Sequence, residues 1–188
     1  MWKKVLILSL SVAAILIFSA SFTSVAAGDK TIKINWKIAG TIVQLIEVTS
    51  PMTGFSEGLH SLITLDAQGA PGPAKITLLG RSAFTGNTDF SCPEGFVQIA
   101  YFDKNDFVAL FPDQSLLFAS INQDTDGIFC AGADSNYFKV KMDVMGGTGR
   151  FEGASGEFIG EGYGYSFTPT VTLAGENGKI TGKIKFSD

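Results

Sequence analysis

Two cysteines are the side chains of this sequence whose type and spacing say most about chemistry. Cys92 and Cys130 are the only cysteines, and an even number in a chain bound for an oxidising compartment predicts one disulfide. The bridge would close a loop of about 40 residues and stabilise the fold by roughly 3–4 kcal/mol. The alternative is two buried free thiols. A metal site is disfavoured, because His60 is the only histidine and no CxxC spacing occurs.

The remaining polar candidates have simpler structural interpretations. Asp124 and Asp126 resemble the start of a calcium loop, but no downstream Glu completes a ligand set, so we favour a turn. His60 has no Ser or Cys in a nucleophile setting beside it, and we interpret it as a strand residue. Tyr163 and Tyr165 share one face of a predicted strand, where packing is favoured over a pocket. The sequence predicts no cofactor.

The N-terminus has the order of segments that export machinery recognises. Lys3 and Lys4 precede an uncharged apolar stretch over 5–18, and small residues follow up to Ala27. We predict a signal peptide over 1–27, cleaved after Ala27, and a protein that is exported to a periplasm or the extracellular space. The alternative is an uncleaved membrane anchor, because the apolar stretch with its small-residue end approaches the ~20 residues that a span needs.

Charge argues against polyanionic partners. Without Lys3 and Lys4, residues 28–188 carry 12 basic and 18 acidic side chains, a net charge of −6. No basic cluster stands out along the chain, whereas binding to phosphates requires lysines and arginines gathered on one face. The sequence therefore predicts no nucleic acid and, after cleavage of the signal, no membrane among the partners.

The elements that position these residues have the periodicity of β-strands. Polar and apolar residues alternate over 33–38, 60–66, 75–79 and 137–144, and β-branched residues dominate 41–48. Turn residues separate such runs, including a Pro/Gly-rich loop over 67–73 and a polar turn over 103–106. No ten-residue segment after 27 shows a helical apolar stripe. One all-β domain over 28–188, a sandwich or a barrel, is predicted.

The glycine-rich segment over 145–158 is the most distinctive stretch. Gly147, Gly149 and Gly153 only loosely match a dinucleotide-binding spacing, and strands rather than a helix flank them, so we reject a phosphate loop. Glycines grouped between two strands permit a sharp bend or bulge, which closed barrels need at their corners. Phe151 is the predicted apolar plug under this corner.

This segment resembles one found in plant allene oxide cyclases, dirigent proteins and many bacterial proteins. The shared pattern is GG-[ST]-G-x-F-x-x-x-x-G, and its positions here are Gly146, Gly147, Thr148, Gly149, Phe151 and Gly156, with Gly153 inside it. The resemblance implies a single antiparallel eight-stranded β-barrel of the calycin or allene-oxide-cyclase type. It also implies a homo-oligomer as a candidate state, because these families often form trimers or other oligomers.

The functional residues of these families are matched only in part. The cyclases use a carboxylate and a proline near the first barrel strand, and Glu47 and Pro51 lie in that region here. The resemblance thus makes Glu47 the candidate catalytic residue; the alternative is a solvent-facing strand residue. Dirigent proteins carry Arg where this chain has Ser155, so the surroundings of the motif differ.

Three functions remain open at this stage. The favoured one is a non-catalytic binding module for a small apolar ligand or a protein partner, since an eight-stranded barrel encloses room for about one small ligand. The second is a cyclase or isomerase that confines a hydrophobic substrate, and the third is a structural or surface-interaction protein. An open apolar lumen with Glu47 pointing inward would favour the enzyme, whereas a lumen filled with Phe side chains would leave the surface role.

Overall fold

The structure is a computed structural model of the chain. It describes residues 30–49, 51–52, 54, 56–84, 88–121, 126–168 and 171–186, with the backbone alone at 44–48, 56–57, 166–168 and 171–176. The predicted signal peptide over 1–27 lies outside the described residues and stays a prediction.

Antiparallel strands account for most of the described residues. A single 3-10 turn over Gly149–Phe151 is the only helical element among them, and none of the described helical segments is long and apolar enough to cross a membrane. The strands are β1 (Lys30–Thr49), β2 (Ser56–Ala70), β3 (Ala74–Ala83), β4 (Val97–Leu110), β5 (Leu116–Ser120), β6 (Gly127–Ala131), β7 (Asn136–Gly147), β8 (Ala154–Thr168) and β9 (Val171–Phe186).

These strands close into a barrel. Each pairs antiparallel with its neighbours in the order β3-β2-β1-β9-β8-β7-β5-β4, and the additional pairing of β3 with β4 closes the ring. β5 and β6 follow one another between β4 and β7, each pairing with both, so they share one position. The predicted all-β fold, an antiparallel barrel of eight strands, is confirmed.

Alternation along each strand sorts the side chains between the lumen and the outer wall. In β3, for example, Ala74, Ile76 and Leu78 are buried, whereas Lys75 and Thr77 are exposed. Side chains of a strand point alternately to opposite faces, so this pattern fixes which residues fill the barrel. The buried side chains of β1, β4, β7, β8 and β9 join those of β3 in one continuous core.

Strand direction places the connections at two ends of the barrel. The loops over 71–73, 111–115 and 148–153 lie at one end, which we call the motif end because it contains the glycine-rich corner. The connection over 84–96 and the turn over 132–135 lie at the opposite end, which we call the far end.

The polar turn predicted over 103–106 is wrong, because these residues lie inside β4. A register shift between Arg81 and Ser82 of the neighbouring strand marks a bulge here. The bulge leaves Asp103 on the outer wall, where it forms an ion pair with Arg81. It turns Asn105 inward, where this residue is 1% exposed. A bulged strand therefore accommodates polar residues that resemble a turn in sequence. The predicted hairpin over 60–79 is present, although its loop shortens to 71–73.

Candidate functional site

The glycine-rich corner joins β7 to β8 at the motif end. Gly146, Gly149, Gly153 and Gly156 all have positive φ angles, a backbone conformation that favours glycine. Gly147 is required for a different reason, since a Cβ there would lie 2.2 Å from the carbonyl oxygen of Leu116. The 3-10 turn that follows directs Phe151 under the corner, where its side chain is fully buried.

Arg150, in the same turn, joins the loops of the motif end on the outside. Its guanidinium carbon lies 4.4 Å from the ring centroid of Phe111 and 4.9 Å from that of Phe151. Its Nε is 3.3 Å from a carboxylate oxygen of Asp113, and one of its terminal nitrogens donates to the carbonyl oxygen of Pro71 at 3.4 Å. The planar guanidinium thus stacks on two rings and contacts two loops at once.

Two further contacts brace these loops. The indole Nε1 of Trp36 donates to the carbonyl oxygen of Gly72 at 2.7 Å, and the Trp36 ring packs 5.8 Å from Phe111. The amide of Ser115 donates to the Asp113 carboxylate at 3.1 Å. That hydrogen bond, together with the positive charge of Arg150, lowers the pKa of Asp113 below its usual value. The arrangement closes the lumen at the motif end, and a shallow depression of about 360 Å³ remains on the outside of the loops, with Pro73, Phe111 and Gln114 in its lining.

The described part of the lumen is filled by aromatic side chains. The largest of these side chains are almost completely buried: Trp36, Phe107, Phe111, Phe151 and Phe158. Ring centroids lie 4.6 Å apart for Phe111 and Phe151 and 4.9 Å apart for Phe107 and Phe158. These distances are those of close aromatic packing, so the interior of the barrel around these rings is a solid core.

A small cavity remains beside Asn105. Its volume is about 30 Å³, and its lining is apolar except for Asn105; the apolar members include Ile63, Leu78, Phe102 and Phe138. The side-chain oxygen of Asn105 has no hydrogen-bond partner in the part of the chain that the structure describes. A space of this size holds about one water molecule. The sequence analysis did not find this residue, because it assigned Asn105 to a turn.

The candidates taken from the family resemblance are not brought together by the described structure. The backbone of Glu47 pairs with that of Leu59, and its side chain lies outside what the structure describes, so its proposed role stays a prediction. Pro51 is exposed in the turn after β1. Ser155 is exposed on β8, where its hydroxyl donates to the carbonyl oxygen of Lys185 at 3.4 Å.

His60 and the turn that begins like a calcium loop belong to no metal site in the part of the chain that the structure describes. His60 is half-buried in β2, opposite Arg81 of β3. Asp124 lies outside the described residues, and the carbonyl oxygen of Asp126 accepts a hydrogen bond from the amide of Lys141 at 2.7 Å. Among the described residues, no group of three or more His, Cys, Asp or Glu side chains could hold a metal ion.

A second, smaller cluster lies on the outer wall near the far end. Cys92 and Cys130 form a disulfide with an S–S distance of 2.14 Å, as predicted. The bridge holds the segment over 88–96 against β6 and β7. The apolar residues beneath and around it, which we call the outer cluster, are Ile128, Cys130, Tyr137, Phe90, Cys92, Phe96 and Tyr163. Tyr163 therefore packs within this cluster, whereas Tyr165 is 54% exposed.

Charged groups border the outer cluster. The Tyr137 hydroxyl donates to a carboxylate oxygen of Glu161 at 3.2 Å. Burial, with the neighbouring charge of Glu161, raises the pKa of Tyr137 to about 12. Glu161 also forms an ion pair with Lys179 at 2.8 Å, and that hydrogen bond is the main reason why its own pKa is lowered.

The fold also assembles a basic surface that the sequence analysis missed. β1 and β9 are neighbours, and their exposed side chains include Lys33 directly opposite Lys183 and Lys37 directly opposite Lys179. We call the outward-facing lysines of these two strands the lysine wall: Lys33, Lys37, Lys179, Lys183 and Lys185. The wall gathers five of the twelve basic residues of 28–188 on one surface.

The signal for the lysine wall was present at both ends of the sequence. Lys33 and Lys37 alternate with apolar residues in β1, as Lys183 and Lys185 do in β9. Taken alone, each segment has the pattern of an ordinary amphipathic strand. Only the pairing of the first strand with the last, which barrel closure imposes, brings the two sets together.

A groove of about 840 Å³ runs over the outer wall beside these lysines. Its floor includes the short side chains of Asn35 and Thr181, which face each other across β1 and β9. Lys33 and Lys183 form one side, and Asp143 and Glu157, directly opposite each other on β7 and β8, form the other. The groove therefore offers ammonium groups, carboxylates and uncharged hydrogen-bonding groups within one surface.

No family model, no curated protein and no solved structure matches this chain.

Proposed function

We propose that this protein is an exported, non-catalytic binding module that contacts its partner with the outer wall of the barrel. The contrast between two spaces carries the proposal. The cavity in the described lumen measures about 30 Å³, whereas the groove beside the lysine wall measures about 840 Å³. The groove has the size of a ligand site and the cavity does not, because such sites usually span some 300–1,000 Å³. The groove is also larger than the depression of about 360 Å³ at the motif end.

Export and family membership belong to the same proposal. The Cys92–Cys130 disulfide is compatible with an oxidising compartment, periplasmic or extracellular. The closed barrel and the corner with Phe151 beneath it support kinship with the allene oxide cyclase and dirigent barrels. Activity does not follow from that kinship, since a shared fold supports unrelated functions.

Native mass spectrometry of the exported protein, purified from the cells that produce it, tests this assignment. We expect the mass of the polypeptide, with or without a second macromolecule, and no small apolar ligand retained in stoichiometric amount. Recovery of one apolar small molecule per chain, released on denaturation, would overturn the proposal in favour of the lumen.

A lumen ligand is the second candidate, and Asn105 is the observation that favours it. A buried amide oxygen without a partner is costly, and Asn105 lies beside the apolar cavity. A small apolar molecule with one hydrogen-bond donor would satisfy it, as a bound ligand or as the substrate of a cyclase or isomerase, and the lumen would have to widen beyond this one-water cavity to admit it. In that case the ligand mass appears with the wild-type protein and disappears with Asn105→Leu. Its absence from the wild-type protein contradicts this candidate.

A further inference from the structure

We propose that the groove beside the lysine wall binds an acidic polysaccharide, with its acid groups on the lysines and its hydroxyl groups on the opposite side. This inference rests on the proposed function, because it names the partner of the outer wall.

The lysines have the spacing of a linear anionic ligand. Lys33 and Lys37 are four residues apart on β1, which corresponds to about 13 Å along a strand. Each has a lysine of β9 directly opposite, at Lys183 and Lys179. Like charges directly opposite one another destabilise a sheet, although Glu157 and Glu161 of β8, directly opposite Lys183 and Lys179, offset part of this repulsion. An anionic chain lying along the two strands would remove this repulsion.

Most of the lysine wall has no acidic partner within the protein. Of the five, Lys179 alone forms an ion pair with a described residue, Glu161. Lys33, Lys37, Lys183 and Lys185 form none with the described residues and are exposed. Their ammonium groups are therefore available to a ligand without breaking an internal contact.

The opposite side of the groove distinguishes a sugar from a bare polyanion. Asp143 and Glu157 are carboxylates, and they would repel the phosphates of a nucleic acid or of a lipid headgroup. Carboxylates instead accept hydrogen bonds from hydroxyl groups, as do the side-chain oxygens of Asn35 and Thr181. A ligand that presents both acid groups and hydroxyl donors fits this arrangement, and a polymer of uronic acids does so in every ring.

Binding of polygalacturonate to the exported protein, followed by calorimetry at low and moderate salt, tests this inference. We expect binding that weakens with salt, and no binding of the fully methyl-esterified polymer, which keeps the rings but lacks the charge. The double variant Lys33→Glu, Lys183→Glu should bind roughly tenfold more weakly. The matched control is Lys75→Glu, Lys104→Glu, which makes the same change of charge on exposed residues of β3 and β4 and should bind within about twofold of wild type.

One further substitution distinguishes a sugar from other anions by whether it weakens or strengthens binding. Asp143→Asn should weaken binding of polygalacturonate if the carboxylate accepts hydroxyl groups. Asp143 is preferred to Glu157 for this test, because Glu157 forms an ion pair with Lys141 at 3.2 Å. Asp143→Asn should strengthen binding if the lysines simply attract negative charge, and that result would overturn the assignment to a polysaccharide. A DNA duplex or anionic phospholipid vesicles that bind more tightly than polygalacturonate would overturn it as well.

The two proposals can fail separately. If polygalacturonate does not bind and native mass spectrometry finds no lumen ligand, the polysaccharide is wrong and the outer wall remains the proposed contact surface. If a stoichiometric apolar ligand is found, the proposed function is wrong too.

Discussion

The motif end and the outer cluster are two apolar assemblies held together in different ways. At the motif end, Phe111 and Phe151 are almost fully buried between strands that the barrel already pairs, and no covalent link joins the loops. The outer cluster instead covers its residues with the segment over 88–96, which forms no strand, and a disulfide fixes that segment to β6.

This difference shows how much each region can rely on burial. A segment without strand pairing has few contacts to offset the conformational entropy lost when it becomes ordered. Among the residues whose side chains the structure describes, the outer cluster contains three buried apolar residues, whereas the core inside the barrel contains more than twenty. A covalent link lowers the entropy of the unfolded chain instead, and we therefore expect the disulfide to matter locally where packing is small.

Phe151→Ala should cause the largest loss of stability. Removing a fully buried phenylalanine leaves a cavity and costs about 3–5 kcal/mol in the free energy of unfolding. Urea denaturation followed by fluorescence measures this loss. Phe84→Ala is the matched control, because Phe84 is 41% exposed, and it should change the free energy of unfolding by less than about 1 kcal/mol. Equal losses in the two variants would mean that the corner does not depend on its plug.

The double variant Cys92→Ser, Cys130→Ser should lower the free energy of unfolding by about 3–4 kcal/mol, since the bridge spans 38 residues. The local effect sharpens the comparison. Hydrogen exchange should rise first in the segment over 88–96, while the amide of Phe151 at the motif end keeps its protection. Loss of protection at both ends together would show that the two regions form one cooperative unit.

Arg150→Lys tests the stacking at the motif end and should cost about 1 kcal/mol in the free energy of unfolding. Lysine keeps the positive charge near Asp113 but cannot stack a planar guanidinium on Phe111 and Phe151. Asp113→Asn is the companion variant, because it removes the ion pair and leaves the stacking. A larger loss in Asp113→Asn than in Arg150→Lys would show that charge, rather than stacking, joins the loops.

The sequence predicted the parts of the fold that depend on local pattern. Period-two alternation predicted the strands, and the grouped glycines predicted a sharp connection with Phe151 beneath it. These features depend on backbone conformation and on which face is apolar, and neighbouring residues determine both. The disulfide could also be predicted, because two cysteines in a chain with a predicted signal peptide leave few alternatives.

Features that depend on pairing between distant strands could not be predicted in the same way. Asn105 lies in a polar run that resembles a turn, and only its pairing with Gly80 of β3 shows that the run is a bulged strand. Lys33 and Lys183 are far apart in sequence, and the register of β1 with β9 alone makes them neighbours. The candidate site was missed because it belongs to that register rather than to any segment.

Tyr137 provides the test with the smallest expected effect at neutral pH, again at the outer cluster. Its pKa is about 12 in the folded protein, against about 10 in an unfolded chain. Between these values the unfolded chain loses the proton while the folded one keeps it. The contribution of Tyr137 is therefore complete below pH 10 and is lost as the pH rises towards 12.

Tyr137→Phe should therefore flatten the fall of the unfolding free energy between pH 10 and 12, by at most about 1.4 kcal/mol per pH unit. At pH 7 it should cost only about 1 kcal/mol, the contribution of the hydrogen bond to Glu161. The control is Tyr165→Phe, which removes the hydroxyl of a tyrosine on β8 that is 54% exposed. Urea denaturation at each pH measures both variants. Parallel curves of unfolding free energy against pH for wild type and Tyr137→Phe would contradict this prediction. They would show that the outer cluster opens before the barrel unfolds, so that Tyr137 titrates alike in the folded and unfolded protein. The packing of the segment held by the disulfide would then add little to global stability.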